Sequence, residues 1–248
     1  MFETCAEQYR FFRALDFAPV RTNPVLFGTL VHQTIEDVHK AVLRGEPHRL
    51  SEVQVGAWFD LNYAYLTKKE RAYLTPHIKG VALGHVMRYY ERYRDDWSHV
   101  RDAEVDVSLV KDAYILAGKV DLIQGEGDTV EIVDFKSEKK PDVNQPDDRE
   151  RIDRYRRQLE VYAHIVEERT GLAVSKTHLY YTGVEGGNPF ISFGKDARRL
   201  ERTVEAFDKV VNRIEARDFR LAERPKKLCE ACDMRSYCDA KNWSFLGE

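Results

Sequence analysis

Four cysteines stand at opposite ends of the chain, and this placement constrains the fold more than any other feature of the sequence. Cys5 is alone near the N-terminus, whereas Cys229, Cys232 and Cys238 form the pattern C-x2-C-x5-C near the C-terminus. If the four thiolates bind one metal centre, the two ends of a 248-residue chain must meet. Both zinc and an iron-sulfur cluster accept four cysteine ligands. Zinc ribbons usually supply two close pairs, so one pair with two single cysteines favours the iron-sulfur cluster over zinc.

The sequence lacks the features of a membrane or exported protein. No segment approaches the roughly 20 consecutive apolar residues of a transmembrane helix. The first residues have neither the basic region nor the apolar region of a signal peptide. We therefore expect a cytoplasmic protein with no membrane partner, whose cysteines serve as thiols or ligands and not as disulfides. Four unrelated buried thiols are the alternative, although three cysteines in a short polar tail would be poorly buried.

Charge and composition narrow the functional classes. The chain has 39 Lys and Arg residues against 42 Asp and Glu residues, for a formal net charge of -3. This balance excludes a protein whose whole surface is basic and binds nucleic acid. A polyanion would therefore have to bind at a local basic patch or at a metal. Hydrophobic residues make up 43% of the sequence, which is enough for a buried core.

The period of the hydrophobic pattern predicts an α+β fold. Apolar residues recur with helical spacing over 23–43, where Asn23 is the expected N-cap before Pro24 at the first helical position. The helical spacing recurs over 52–97, where breaks near Thr67 and Thr75-Pro76 predict two or three helices. The period then falls to about two residues, which predicts antiparallel strands over 103–110, 114–123 and 129–136, with hairpin turns at 111–112 and 125–128. A polar loop over 137–148, a helix over 151–169, strands over 176–181 and 190–193, and a helix over 197–216 follow.

These elements predict one domain, 1–248, with three parts. A helical lobe covers 1–100, a mixed sheet flanked by helices covers 101–194, and a helix with the cysteine tail covers 195–248.

Two acidic residues and a lysine lie in the strand block. Asp134 and Lys136 are two residues apart on one strand, so their side chains share a face. If the turn is centred near Glu126 and Gly127, Asp121 on the neighbouring strand lies close to diagonal from Asp134, at most about 8 Å away. Two carboxylates at that separation can hold one hard cation such as Mg²⁺. Two strand-end acids that face water, one of them paired with Lys136, are the alternative.

Gln158 and Tyr162 are four residues apart on the following helix and project from the same face. This helix begins with several arginines, so it could present an amide, a phenol and guanidinium groups to a phosphate backbone. Taken alone, this pair is equally typical of a solvated amide above a core tyrosine.

The order of these residues resembles the RecB-like branch of the PD-(D/E)XK nuclease superfamily. More narrowly, it is similar to the AddB-type nuclease domains and CRISPR-associated adaptation nucleases that carry a four-iron four-sulfur cluster. The set that carries the resemblance is Cys5, His32, Glu104, Asp121, Asp134-Phe135-Lys136, Gln158, Tyr162, Cys229, Cys232 and Cys238. Two positions depart from the pattern: Val120 stands where the superfamily name has Pro, and Ala6 follows Cys5 where the branch has Pro.

The resemblance implies a role for each residue. Asp121, Asp134, the Phe135 carbonyl and His32 would bind Mg²⁺ or Mn²⁺, and Lys136 would position or activate the attacking water. Gln158 and Tyr162 would orient the substrate, and Glu104 would support the site. The cysteines Cys5, Cys229, Cys232 and Cys238 would ligate the cluster, with zinc as the less favoured occupant. Without the resemblance, a half-buried helix histidine is the better interpretation of His32.

The resemblance also implies a restriction-endonuclease-like sheet and a metal-dependent deoxyribonuclease. We expect it to act on single-stranded DNA ends or flaps in repair, recombination or defence, with a helicase as partner or fused domain. The alternative is a nuclease-fold module that binds DNA for a helicase without cleaving it.

Overall fold

The computed structural model describes residues 1–17, 22–110, 114–221, 226–230 and 232–238. Its α-helices are α1 (Ala6–Tyr9), α2 (Asn23–Leu43), α3 (Glu52–Glu70), α4 (Pro76–Tyr93), α5 (Pro146–Thr170), α6 (Ala197–Glu215) and α7 (Lys226–Glu230). A π-helical turn covers Arg10–Ala14, and a 3-10 turn covers Pro47–Arg49. The strands are β1 (Val100–Val110), β2 (Ile115–Gln124), β3 (Thr129–Lys136), β4 (Ala173–Tyr181) and β5 (Phe190–Gly194).

The strands form one mixed sheet in the order β1-β2-β3-β4-β5. Neighbours pair antiparallel except β3 and β4, which are parallel and are joined through α5. A parallel pair needs such a crossover, because its second strand must start again from the same end of the sheet. The carboxyl ends of β3 and β4 therefore lie side by side, with Lys136 paired to Tyr181.

The main core lies between the sheet and helices α2, α3 and α4. Fully buried residues from each of these helices contribute, among them Leu30, Val31, Phe59 and Val86. An aromatic group continues the core onto the sheet, where Tyr89 packs edge-on against Phe135 with ring centroids 5.1 Å apart. This packing fixes β3, which carries Asp134 and Lys136, against the helical layer.

The contacts within the chain divide it into two compact units. One unit is Arg21–Thr203, which contains the sheet and α2 to α5. The other is Met1–Val20 with Val204–Glu248, and the boundary falls inside α6. In the second unit, Phe11, Phe12 and Met234 form a small cluster against which Cys232 and Cys238 pack.

The structure confirms most of the predicted elements and corrects several bounds. The helix over 23–43 is confirmed, but Thr22 and not Asn23 occupies its N-cap position. Helix α3 continues through Thr67 to Glu70, and the left-handed backbone of its C-cap residue Arg71 (φ 52°) terminates it. Helix α5 begins at Pro146, inside the predicted loop, because proline suits the first helical turn. The predicted turn at 111–112 lies outside the described residues.

Candidate active site

The two acids lie where the ladder between β2 and β3 ends. Leu122 pairs with Val133, and Asp121 and Asp134 come directly next to this pair. Continuing that register would place the two acids opposite one another, and not on the diagonal that the sequence suggested. The backbone N–H of Phe135 donates a hydrogen bond to Asp121 Oδ2 over 2.8 Å. This bond replaces a ladder contact and aims the Asp121 carboxylate at β3.

Burial and repulsion from Asp134 both act on the Asp121 carboxyl group. The pKa of Asp121 is raised to about 7, chiefly by burial and next by the charge of Asp134, while the Phe135 N–H opposes this shift. Asp134 is 5% exposed, and its Oδ2 atom has no hydrogen bond of good geometry within the described part of the chain. A buried pair of this kind is costly unless a cation compensates its charge. Two carboxylates are the kind of donor that a hard divalent cation prefers.

Lys136 provides the positive charge nearest to Asp134. Its Nζ atom is 2.5 Å from Asp134 Oδ2, and the side chains of Lys136 and Asp134 are 15% and 8% exposed. The strand period puts both on the same face, as the sequence predicts. The carbonyl of Lys136 accepts a hydrogen bond from the Thr182 N–H over 3.0 Å, so its backbone is fixed by the sheet.

Helix α5 brings Gln158 and Tyr162 to the same acids. Gln158 Nε2 is 3.4 Å from Asp134 Oδ1 and donates a 2.9 Å hydrogen bond to the Tyr162 hydroxyl. Burial raises the pKa of Tyr162, and the charges of Asp134 and Asp121 add to this effect, so the phenol keeps its proton. The ring of Tyr162 lies over Gly118 on β2, where an added Cβ would be 2.3 Å from its Cε1 atom.

His32 on α2 faces the acid pair from the helical layer. Its Nδ1 atom is 3.5 Å from Asp121 Oδ2, and its ring lies edge-on to Phe135 with centroids 6.2 Å apart. Burial lowers the pKa of His32, although the charge of Asp134 opposes this effect. A neutral imidazole is the form that binds a metal.

Glu104 reaches the site from β1 through a lysine that the sequence analysis did not single out. Lys119 Nζ is 2.5 Å from Glu104 Oε2. Burial raises the pKa of Glu104, Lys119 lowers it, and the charge of Asp121 raises it again, which indicates that these groups share one electrostatic environment. Glu104 has a left-handed backbone with φ 55°, an uncommon conformation for a residue other than glycine.

A sequence model of the PD-(D/E)XK nuclease superfamily matches residues 1–239. The chain belongs to the PD-(D/E)XK nuclease superfamily. No protein with curated annotation matches the sequence significantly. The superfamily motif contains two acidic residues and a lysine. That Asp121, Asp134 and Lys136 are these residues stays a prediction. The structure brings these three side chains together at the end of one strand pair.

The solved structures that are similar to this PD-(D/E)XK nuclease chain include the following two. A protein from Eubacterium rectale, named as a candidate exonuclease, has 13% sequence identity and a TM-score of 0.50 over 90% of each chain. The protein SSO0001 has 13% identity and a TM-score of 0.39 over 95% of each chain. At this identity the first similarity shows the fold alone. The five-stranded mixed sheet with flanking helices confirms the predicted restriction-endonuclease-like α+β class.

The four cysteines of this superfamily member lie in its second compact unit. Cys5, Cys229, Cys232 and Cys238 all line one cavity of about 480 Å³. The Gln8 backbone N–H donates to Cys5 Sγ over 3.4 Å, and Gln8 Nε2 donates to Cys232 Sγ over 3.8 Å. Burial raises the pKa of the Cys5 thiol, and the nearby Cys229 and Cys238 raise it further. The two chain ends that carry the cysteines therefore meet. This is the arrangement that one metal centre shared by all four thiolates would need.

Neither a metal-binding group of side chains nor a membrane-spanning helix is found among the residues that the structure describes. Among them, no group of three or more His, Cys, Asp or Glu side chains is arranged to hold a metal ion. None of the helices in the described ranges is both long and apolar enough to cross a bilayer.

Sequence reasoning missed several residues around the acids. Gly118 and Lys119 lie within the Gly-Lys-Val-Asp segment that ends at Asp121, and a period-two count would have placed Lys119 on the face of Asp121. Tyr155, one turn before Gln158, and Glu138, two residues after Lys136, also contact the site. No short motif indicates them.

Proposed function

We propose that this superfamily member is a metal-dependent deoxyribonuclease that hydrolyses phosphodiester bonds. One observation carries the proposal: a buried pair of acids, Asp121 and Asp134, shares the end of a strand pair with the ammonium of Lys136. Neither acid is explained by stability, because two buried carboxylates repel each other and lose hydration.

The residues that would hold Mg²⁺ or Mn²⁺ are Asp121, Asp134, His32 and the Phe135 carbonyl. The described residues hold no ready-made group of three such side chains. Mg²⁺, however, commonly binds one or two protein carboxylates together with water and substrate phosphate oxygens, so Asp121 and Asp134 are sufficient. Imidazole suits Mn²⁺ better than Mg²⁺, which makes His32 the ligand that distinguishes them. When bound, the metal supplies Lewis-acid polarisation of the phosphate and neutralises developing charge.

The other residues act on the substrate and on water. Lys136 places a positive charge beside the acids, where it can stabilise the negative charge that develops on the phosphate or orient the attacking water. Gln158 and Tyr162 hold each other and Asp134, and so provide an amide and a phenol that orient the phosphodiester. Lys119 on β2 favours the charged form of Asp121, and Glu104 on β1 holds the Lys119 ammonium.

We further propose single-stranded DNA ends or flaps as the substrate and repair, recombination or defence as the setting, with a helicase as partner. This part rests on the resemblance to the RecB-like branch. The name of the Eubacterium rectale protein is a reason to test DNA ends before internal positions.

We propose that Cys5, Cys229, Cys232 and Cys238 ligate an iron-sulfur cluster that ties the two chain ends together. All four cysteines line one cavity, which supports a shared centre. Their distribution, one close pair with two single cysteines, is what favours the iron-sulfur cluster over zinc. A reducing compartment, such as the cytoplasm, would keep these thiols available as ligands.

The test is incubation with end-labelled and internally labelled DNA, single- and double-stranded, with Mg²⁺, with Mn²⁺ and with EDTA. We expect metal-dependent cleavage that starts at single-stranded ends and is absent in Asp134→Asn. DNA binding without cleavage under all metal conditions would favour the non-cleaving module instead. Preparation under anaerobic conditions, with iron and zinc analysis, tests the cluster.

A further inference from the structure

The Lys136 ammonium group needs a contact that holds it in position, because the sheet fixes only the backbone of Lys136. The lysine side chain is a flexible four-carbon stem, and a group that acts on a phosphate or on water must be held within a fraction of an ångström. Its contact with Asp134 alone does not suffice, since Asp134 is also a proposed metal ligand. A contact that metal binding leaves in place is therefore needed.

The aromatic ring of Tyr155 makes such a contact. Lys136 Nζ lies 4.1 Å from the centroid of this ring, well within the distance of a cation–π interaction. The ring attracts the ammonium through its electron-rich face without neutralising it. The Lys136 ammonium thus stays available as a hydrogen-bond donor for the reaction.

Tyr155 is itself held at its other end. Its hydroxyl donates a 3.0 Å hydrogen bond to Glu138 Oε1, two residues after Lys136. Glu138 Oε2 is 3.6 Å from Arg151 NH1, and Arg151 NH2 is 2.7 Å from Asp148 Oδ1. The pKa of Tyr155 is raised to about 12, chiefly by burial and next by the charge of Glu138, so the phenol stays a donor.

We propose that Tyr155, anchored by Glu138, is the positioning residue that fixes the Lys136 ammonium over the acid pair. This inference rests on the proposed nuclease function for its catalytic consequence, but the placement of Lys136 can be measured without cleavage. Tyr155 lies one helical turn before Gln158, so one face of α5 holds Lys136 through Tyr155 and Asp134 through Gln158.

The experiment compares Tyr155→Leu, which removes the ring, with Tyr155→Phe, which keeps it. The matched control is Tyr65→Leu, because the exposed Tyr65 also carries a lysine, Lys69, with Nζ 5.7 Å from its ring centroid. Each variant is pulsed with an amine-reactive ester, and acylation of Lys136 is measured by peptide mass spectrometry. Steady-state kcat and KM on single-stranded DNA are measured in parallel.

We expect Tyr155→Leu to raise Lys136 acylation at least about threefold and to lower kcat by about ten- to a hundredfold, with KM within about twofold of wild type. Tyr155→Phe should restore most of both properties, and Tyr65→Leu should leave both unchanged. Glu138→Ala is a second variant that loosens the ring without removing it, and it should give a smaller effect in the same direction.

Wild-type acylation of Lys136 and wild-type kcat in both Tyr155→Leu and Glu138→Ala would overturn the inference. If wild-type protein does not cleave DNA but the acylation differences hold, the positioning role stands and the proposed nuclease function fails. If cleavage is normal in wild type and Tyr155→Phe is as impaired as Tyr155→Leu, the ring is not what positions Lys136.

Discussion

The ring of Tyr162 on α5 lies directly against Gly118 on β2, so closely that no side chain larger than hydrogen fits between them. A Cβ at residue 118 would be 2.3 Å from Tyr162 Cε1 and 3.1 Å from its hydroxyl oxygen. Because the same hydroxyl accepts the hydrogen bond from Gln158, this contact connects a glycine on one strand to the amide beside Asp134.

Gly118→Ala should therefore displace Tyr162 and impair the site. We expect a loss of about 1–3 kcal/mol in the free energy of unfolding, typical of overpacking, together with at least a tenfold loss of cleavage. Urea denaturation and DNA cleavage assays measure the two effects. Gly194→Ala is the control, since an added Cβ there meets nothing within 4 Å. Unchanged cleavage in a folded Gly118→Ala variant would contradict the placement of Tyr162 in the site.

Replacing either acid should abolish metal-linked stability and cleavage together. Ligand binding to the native state raises stability by about 2.7 kcal/mol at a ligand concentration of 100 Kd. We therefore expect Mg²⁺ to raise the Tm of wild type but not of Asp121→Asn or Asp134→Asn, and cleavage to fall by at least about 10²–10³. The control is Asp60→Asn, an acid whose side chain is 68% exposed and pairs with Lys79. Scanning calorimetry with Mg²⁺ and with EDTA provides the measurement.

His32→Ala should weaken metal affinity without abolishing cleavage. The imidazole contacts Asp121 over 3.5 Å, so its removal leaves both carboxylates in place. Because imidazole suits Mn²⁺, the variant should lose more affinity for Mn²⁺ than for Mg²⁺, and saturating Mn²⁺ should partly rescue it. Cleavage measured against the concentration of each metal tests this. Superimposable wild-type and variant curves would mean that His32 is a structural histidine.

His39 should make the protein sensitive to mild acid. It is 1% exposed and lies 2.7 Å from the Tyr89 hydroxyl, and burial lowers its pKa from 6.5 to about 3. The folded state keeps the imidazole neutral, whereas the unfolded chain binds a proton below pH of about 6.5. The stabilisation that the neutral His39 provides is therefore complete above that pH and is lost as the pH falls toward 3. At pH 5 this loss lowers the free energy of unfolding by about 2 kcal/mol.

In urea denaturation, His39→Gln should show a smaller loss of stability between pH 7 and pH 5 than wild type. Glutamine keeps a donor and an acceptor but does not titrate in this range. The exposed His48→Gln serves as the control for the change in composition. A pH dependence that is equal in wild type and His39→Gln would show that other groups cause the acid sensitivity.

Serine substitution of any one cysteine should remove the proposed cluster and destabilise the protein. Closing a loop between chain ends is worth on the order of 5 kcal/mol if the disulfide estimate applies to a metal centre. We expect brown wild-type protein with several irons per chain, and colourless variants with a lowered Tm. Ser236→Ala, which lines the same cavity, should keep its iron. If wild-type protein is colourless and contains one zinc, the centre is zinc and not an iron-sulfur cluster, and the proposed link between the chain ends stands.

Local patterns in the sequence determined much of this protein. Helical spacing and Pro24 predict α2 over the residues that the structure assigns to it, because one buried helix face needs only the 3.6-residue period. Asp134 and Lys136 share a strand face, and Gln158 and Tyr162 a helix face, for the same local reason. The distribution of the cysteines along the chain predicted that they meet if they share one centre, and the structure places all four around one cavity.

Only the tertiary structure decided how these pieces meet. The register of β2 against β3, the parallel pairing of β3 with β4, and the contacts of Gly118 with Tyr162 and of Tyr155 with Lys136 all join residues distant in sequence. Such contacts depend on which faces pack together and on the space left between them, and short-range periodicity carries no information on either. A one-residue shift of β2 would turn Asp121 to the opposite face of the sheet, although every local pattern would be unchanged.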